Sequence, residues 1–390
     1  MRPRHTRRHR AVAALAASLL ALCAGQALGA LPATAAAPAP TPASSSPSPV
    51  SAAEDQAARA IAGSLSDSAW RARVRTAVLA SDEVPVTALA GRAGGTLKAA
   101  LARADRRIAA AKGLDAGVGS LLRLRLGAPS MRAALSAGTA PWVAAAASDD
   151  DAATVTAYDG RGRAHTLDAR TAPSHPVYVV DIDGSKALAA GLDVMRREFG
   201  RNGVASAAPS PAREQAPARR AQAGTAAAGF WTTRITAVEL QDDEEPWVKG
   251  DAEIYTLVTG FGQDGKVRVD PVDMPYLDND HTVYRPNQIL VNWSNYKYDL
   301  ADAVMMEEDG STNYRDLAKA IATALLTIAD QGVYIPLVNA VLDAMPNDWW
   351  TDDPDYADSW YTLAQNDNGT RNGARGNGWM TVEPYFVQQF

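Results

Sequence analysis

Trp231-Thr232-Thr233-Arg234-Ile235-Thr236-Ala237-Val238-Glu239-Leu240 decides the fold of the second half of this chain. The run alternates as a half-buried strand does, with β-branched residues prominent. Ala252 to Val258 alternates in the same way. Further extended pieces are expected at Val267–Val269, Ile289–Trp293, Ala303–Met306 and Trp379–Phe390. Tyr314, Leu317, Ile321, Leu325 and Ile328 recur at helical spacing and predict a helix over about Thr312 to Asp330. A shorter helix is expected from Ile335 to Met345. Residues 230–390 therefore read as a β-sandwich with inserted helices.

Working outward, residues 203–229 form an Ala/Pro-rich linker, closing in Ala226-Ala227-Ala228. Before it, residues 53–202 begin with Ala-rich, Arg-studded segments at Glu54–Leu79 and Leu97–Ala111. Short strands follow at Trp142–Ala147, Thr154–Tyr158 and Val177–Ile182, then a helix from Ser185 to Phe199 with Ser185 as its N-cap. The expected fold class is α+β: an N-terminal domain of helices plus a small sheet, then the sandwich.

The first ten residues carry five arginines and no acid. An apolar run to about Ala30 and Ala33-Thr34-Ala35 follow, the pattern of a signal peptide over residues 1–35. Residues 36–52 are an Ala/Pro/Ser spacer. The expectation is a secreted, extracellular protein with no membrane span after cleavage. The one cysteine, Cys23, falls in the leader, so no disulfide or thiolate chemistry is expected of the mature chain.

Charge divides unevenly. Residues 230–390 hold 27 acids against 10 bases, while the whole chain nets only −6. That acidity argues against a nucleic-acid partner. The acids cluster where strands end, at Asp242–Glu245, Asp251 with Glu253, Asp278 with Asp280, Glu307–Asp309 and Asp352–Asp355. Loops that bring carboxylates together suit Ca²⁺, a hard cation that takes oxygen ligands. The competing reading makes these acids solvated surface charge, as Asp316 in a helix first turn illustrates. Trp349, Trp350, Tyr356, Trp360 and Tyr361, interleaved with aspartates, offer a third reading: a glycan platform with carboxylates for hydrolysis. His165, His175 and Ser174 lack the spacing of a hydrolase elbow or a zinc helix.

Val179-Val180-Asp181-Ile182-Asp183-Gly184-Ser185 resembles the first motif of the haloacid-dehalogenase phosphatases, in which the first Asp attacks phosphorus and the second is a general acid. The domain ends about 20 residues later. That leaves no room for the rest of that machinery, and a strand followed by a polar turn is the preferred reading.

Several stretches carry a wider resemblance. They include Leu121–Leu126 with Pro129–Arg132, Thr156–Gly160 with Pro176–Val180, Glu245–Tyr255, Met274–Leu277, Tyr284–Gln288 and Trp349-Trp350. Together they resemble an uncharacterised family of secreted bacterial proteins, domain-of-unknown-function family 3103, over about Asp55 to Phe390. The likeness implies architecture and export, and no activity. Within the last domain, Gly250–Tyr255 and Glu307–Asp309 resemble the acidic loops of C2 domains. That second likeness implies Asp243, Asp251, Glu253, Glu308 and Asp309 as Ca²⁺ ligands, although Glu253 stands where an Asp-Pro is usual. The expected function is extracellular binding or interaction with an unknown ligand or cell-surface component. The alternative is a hydrolase of glycan or peptide using Asp and Glu residues of the last domain.

Overall fold

The computed structural model of the protein describes residues 47–92, 95–146, 152–207, 229–241, 247–250, 252–308, 310–345 and 356–388. The leader, most of the linker and the Trp349-Trp350 pair lie outside them. The first half runs α1 (Pro49–Ser64), α2 (Ser68–Ala80), β1 (Glu83–Pro85), α3 (Val86–Leu89), α4 (Gly95–Ala111), β2 (Leu122–Leu126) and α5 (Arg132–Ser136). It continues with β3 (Trp142–Ala145), β4 (Thr154–Tyr158), β5 (Ala164–Asp168), β6 (Val177–Ile182) and α6 (Gly184–Arg201). The second half runs β7 (Gly229–Leu240), β8 (Ile254–Phe261), β9 (Val267–Asp273), β10 (Gln288–Asn292) and β11 (Leu300–Glu307). Helices α7 (Tyr314–Leu326) and α8 (Val338–Asp343) follow, then β12 (Tyr356–Ala364), β13 (Gly369–Asn372) and β14 (Gly378–Gln388). The chain is α+β.

Local chemistry sets the helix ends. Ser48 caps α1, its hydroxyl accepting from Ser51 N, and Pro49 fills the first position. Asp67 caps α2 through the N–H groups of Ala69 and Trp70, which splits the single Ala-rich segment of the sequence into two helices. Asn313 caps α7, and Asp316 sits in its first turn as expected. Helix α7 is shorter at both ends than its periodicity suggests. It buries Tyr314, Leu317, Ala318, Ile321, Ala322 and Leu325 on one face.

The first half holds a six-stranded sheet in the order β1-β2-β6-β3-β4-β5. Strand β6 pairs antiparallel with β2 and parallel with β3. The sheet is therefore mixed, unlike the doubly wound parallel sheet of the phosphatases. The second half holds two four-stranded sheets, β10-β7-β14-β13 and β12-β11-β8-β9. Ile235 and Val238 of β7 and Met380 and Val382 of β14 share one buried cluster with Ile254, Val258, Ala303 and Met305 of the other sheet. That cluster is the core of a sandwich.

The sheet β12-β11-β8-β9 is covered on both faces. Every residue of β8 is buried. Ile254 and Val258 point into the sandwich core, while Tyr255, Leu257 and Phe261 join a second cluster with α6, α7 and the first half. Val304 and Met306 of β11 turn the same way. Residues 46–390 thus form one compact unit whose two halves share a core.

Candidate functional site

Strand β6 ends in Asp181-Ile182-Asp183, and α6 starts at once. Asp183, not Ser185, is the N-cap: its Oδ1 accepts from Lys186 N at 3.1 Å. An Asp cap also places a negative charge at the positive end of the helix. Asp183 pairs with Arg123 and Asp181 with Arg125, both from the neighbouring strand β2. Arg125 also donates to the carbonyl of Trp247 at 3.2 Å, tying the loop before β8 to the first sheet.

That loop brings Lys249, Gly250 and Glu253 over the start of α6. The Glu253 carboxylate rests directly on Gly184, where a Cβ would push the end of the Glu253 side chain aside. Glu308, at the end of β11, donates its N–H to the carbonyl of Glu253 at 2.9 Å. Helix α1 closes the remaining side with Val50, Ser51 and Glu54.

Together these elements enclose a cleft of about 190 Å³. Seven carboxylates line it: Glu54, Glu83, Asp181, Asp183, Glu253, Asp278 and Glu308. Among the described residues the lining has one lysine, Lys249, and no Trp, Tyr or Phe. Three cations behind the wall answer three of the acids: Arg123, Arg125 and Lys112. With Lys249 included, acids exceed bases by three among the described residues. The potential this leaves is visible at Glu83, whose carboxyl is pushed above its ordinary range by burial, then by the charges of Asp181 and Asp183.

The acids differ in what they do. Glu308 is committed: one oxygen takes Lys112 Nζ and the other takes the Tyr314 hydroxyl, with both charged side chains almost fully buried. Asp278 accepts from the Tyr284 hydroxyl at 2.7 Å. The Glu83 carboxylate has no hydrogen-bond partner among the described residues and lies at the rim.

Of the five acids taken as Ca²⁺ ligands, Glu253 and Glu308 meet at this cleft. Asp243, Asp251 and Asp309 lie outside the described residues. The described residues contain no group of three or more His, Cys, Asp or Glu already arranged around a metal position. Sequence reasoning assigned Asp181 and Asp183 to a plain turn and passed over Glu54 and Glu83. What could have found the aspartates is the same run that resembles a phosphatase motif, because two acids flanking a strand end project where a neighbouring loop can reach them.

Other expectations resolve differently. Trp360 is buried in the sandwich core, and Tyr361 is exposed and bonds Asn339 at 3.0 Å, so these two do not form a paired platform. Asp358, one of the aspartates interleaved with that expected platform, is fully buried and accepts the N–H groups of Ser359, Arg375 and Gly378. Asp302 does the same for Leu337 and Thr362. His165 and His175 lie away from the cleft, both against the Trp142 ring at 4.0 Å.

A family model described as "Protein of unknown function (DUF3103)" matches residues 58–390. The chain belongs to this family. The DUF3103 match covers both halves, including β6, the loop before β8 and the end of β11, so it spans all of the cleft except the first turns of α1. No curated protein and no solved structure matches the chain. No helix among the described residues is long and apolar enough to cross a membrane.

Proposed function

We propose that this DUF3103 protein is an exported, extracellular binding protein that takes Ca²⁺ in the acidic cleft between its halves. The observation that carries the reading is the convergence of seven carboxylates on one small cavity, with cations enough, among the described residues, for only four of them. A divalent ion relieves that repulsion and finds oxygen ligands from both halves. Glu253 and Glu83 are the acids placed to act as ligands. Asp181, Asp183 and Glu308 are held in position by their paired cations. The absence of aromatic side chains from the described lining favours an ion over a sugar, because a glycan subsite needs a stacking face.

The test is thermal unfolding of the full mature chain in millimolar Ca²⁺, in Mg²⁺ and in chelator. Extracellular Ca²⁺ sites have Kd values of about 10⁻⁴–10⁻³ M. At ten times Kd the ion adds about 1.4 kcal/mol, which for a unit of this size raises Tm by about 2 °C. Mg²⁺, which wants a tighter octahedral site, should give less. A Tm unchanged by Ca²⁺ removes this function and returns the cleft acids to a role in holding the halves together.

A further inference from the structure

A second cavity, of about 520 Å³, opens on the opposite logic. It lies between the α1–α2 turn (Leu65, Arg71), the segment entering β3 (Pro141, Trp142) and the β4–β5 hairpin (Asp159, Arg161). Leu65, Ala140 and Pro141 give its lining an apolar part, and Arg71 and Arg161 bring two guanidinium groups to it. Arg71 gives one N–H to the Leu65 carbonyl at 2.6 Å, and the rest of its guanidinium has no partner among the described residues. Arg161 has no side-chain partner there at all, and neither does the indole N–H of Trp142.

The single acid of the lining is already spent. Asp159 accepts from the N–H groups of Arg161 and Arg163 at 2.9 and 3.0 Å, and pairs with the Arg163 side chain at 2.7 Å. These bonds hold its carboxyl far below the usual range, so it stays ionised and neutralised in place. The Trp142 indole stacks on His165 and meets His175 at a tilt, each at 4.0 Å. The cavity combines apolar side chains with two arginines and lies within the size range that holds small organic ligands.

We propose that this cavity is a binding site for an organic carboxylate on an apolar body, held through Arg71 and Arg161. A planar guanidinium matches a carboxylate in two parallel hydrogen bonds, and two guanidinium charges disfavour a cation. The site shares no residue with the acidic cleft and stands independently of it.

The experiment is calorimetric titration of the full chain with benzoate, benzyl alcohol and inorganic phosphate. Benzoate should bind at least tenfold more tightly than either of the others. Arg161→Gln should remove that preference while leaving Tm unchanged, since the Arg161 side chain holds nothing else. Arg71→Gln should weaken benzoate further but also lower Tm, through its bond to Leu65. Equal binding of benzyl alcohol would show that the charge is not read. Equal binding of phosphate would show that the apolar part of the lining is not used. Full benzoate affinity in Arg161→Gln, or no heat from wild type at about 10 mM benzoate, beyond a millimolar Kd, would overturn the proposal.

Discussion

Two of the places where the halves of the molecule meet use the same kinds of residues with opposite results. At the closed junction, Lys112, Glu308 and Tyr314 form a dry, fully satisfied set: Lys112 also reaches the Gly310 carbonyl at 3.0 Å, and the α4 end is bonded to the start of α7 through Tyr314 N and Asn313. A few residues away, at the open cleft, carboxylates outnumber cations among the described residues and Glu83 faces water. The comparison separates two uses of a charge. One that is buried and matched specifies how the halves dock. One that is gathered beside others of its sign is, on the proposed function, open to a ligand.

The largest effect should come from breaking the closed junction on one side only. Lys112→Met leaves Glu308 charged and buried without its counterion, and a loss of about 3–5 kcal/mol is expected in chemical denaturation. Lys112→Met with Glu308→Leu removes both charges and should recover most of that loss. If the single and double variants are equally unstable, the pair is not what holds the junction.

Next comes Gly191. The Tyr314 ring lies against this α6 glycine, where a Cβ would collide with it. Gly191→Ala should cost about 1–3 kcal/mol by overpacking. Gly184→Ala makes the equivalent clash at the cleft, but with the mobile end of Glu253. It should spare stability and instead weaken Ca²⁺ binding roughly tenfold, a loss of about 1.4 kcal/mol in binding. Denaturation midpoints and Ca²⁺ titrations of the two glycine variants, compared side by side, give that contrast directly; a reversed pattern would collapse the distinction between junction and cleft.

The smallest effect concerns pH. Burial first, and then the charge of His165, lower the His175 pKa below its ordinary 6.5, opposed by a bond to Ala140. Asp159, Arg161 and Arg163 are the other charged groups nearby. A depressed histidine means that the unfolded chain binds the proton more readily. Stability from this group is complete above pH 6.5 and is lost as pH falls through the lower folded value. His175→Phe should flatten that part of the profile between pH 7 and 5, measured by denaturation at each pH.

Much of the architecture was legible. Strands β3, β4 and β6 and helices α4, α6 and α7 stand close to where the pattern puts them; α4, α6 and α7 each bury one face, and Asp183 and Asn313 cap the last two. Three things were not. Strand β8 is buried on both faces, so its alternation was read as one buried face and one solvated face. The neighbouring strand β12 was read as an aromatic platform, because its aspartates mask a core pattern; Asp358 is inside, tying backbone N–H groups. The cleft itself was half legible. Glu253 and Glu308 stood out as acids at strand ends, but their partners Asp181, Glu54 and Glu83 are 70 to 250 residues distant in sequence, and no local pattern announces a contact of that kind.

On the proposed function, the open cleft binds Ca²⁺ through acids from both halves. Calorimetric titration of Ca²⁺ into the wild type and into Glu83→Gln with Glu253→Gln tests it most directly. The prediction is one site with Kd of about 10⁻⁴–10⁻³ M in the wild type, and no measurable heat in the double variant, whose Tm in chelator matches or exceeds the wild type because two repelling charges are gone. Equal Ca²⁺ binding by both proteins, or none by the wild type, would contradict it.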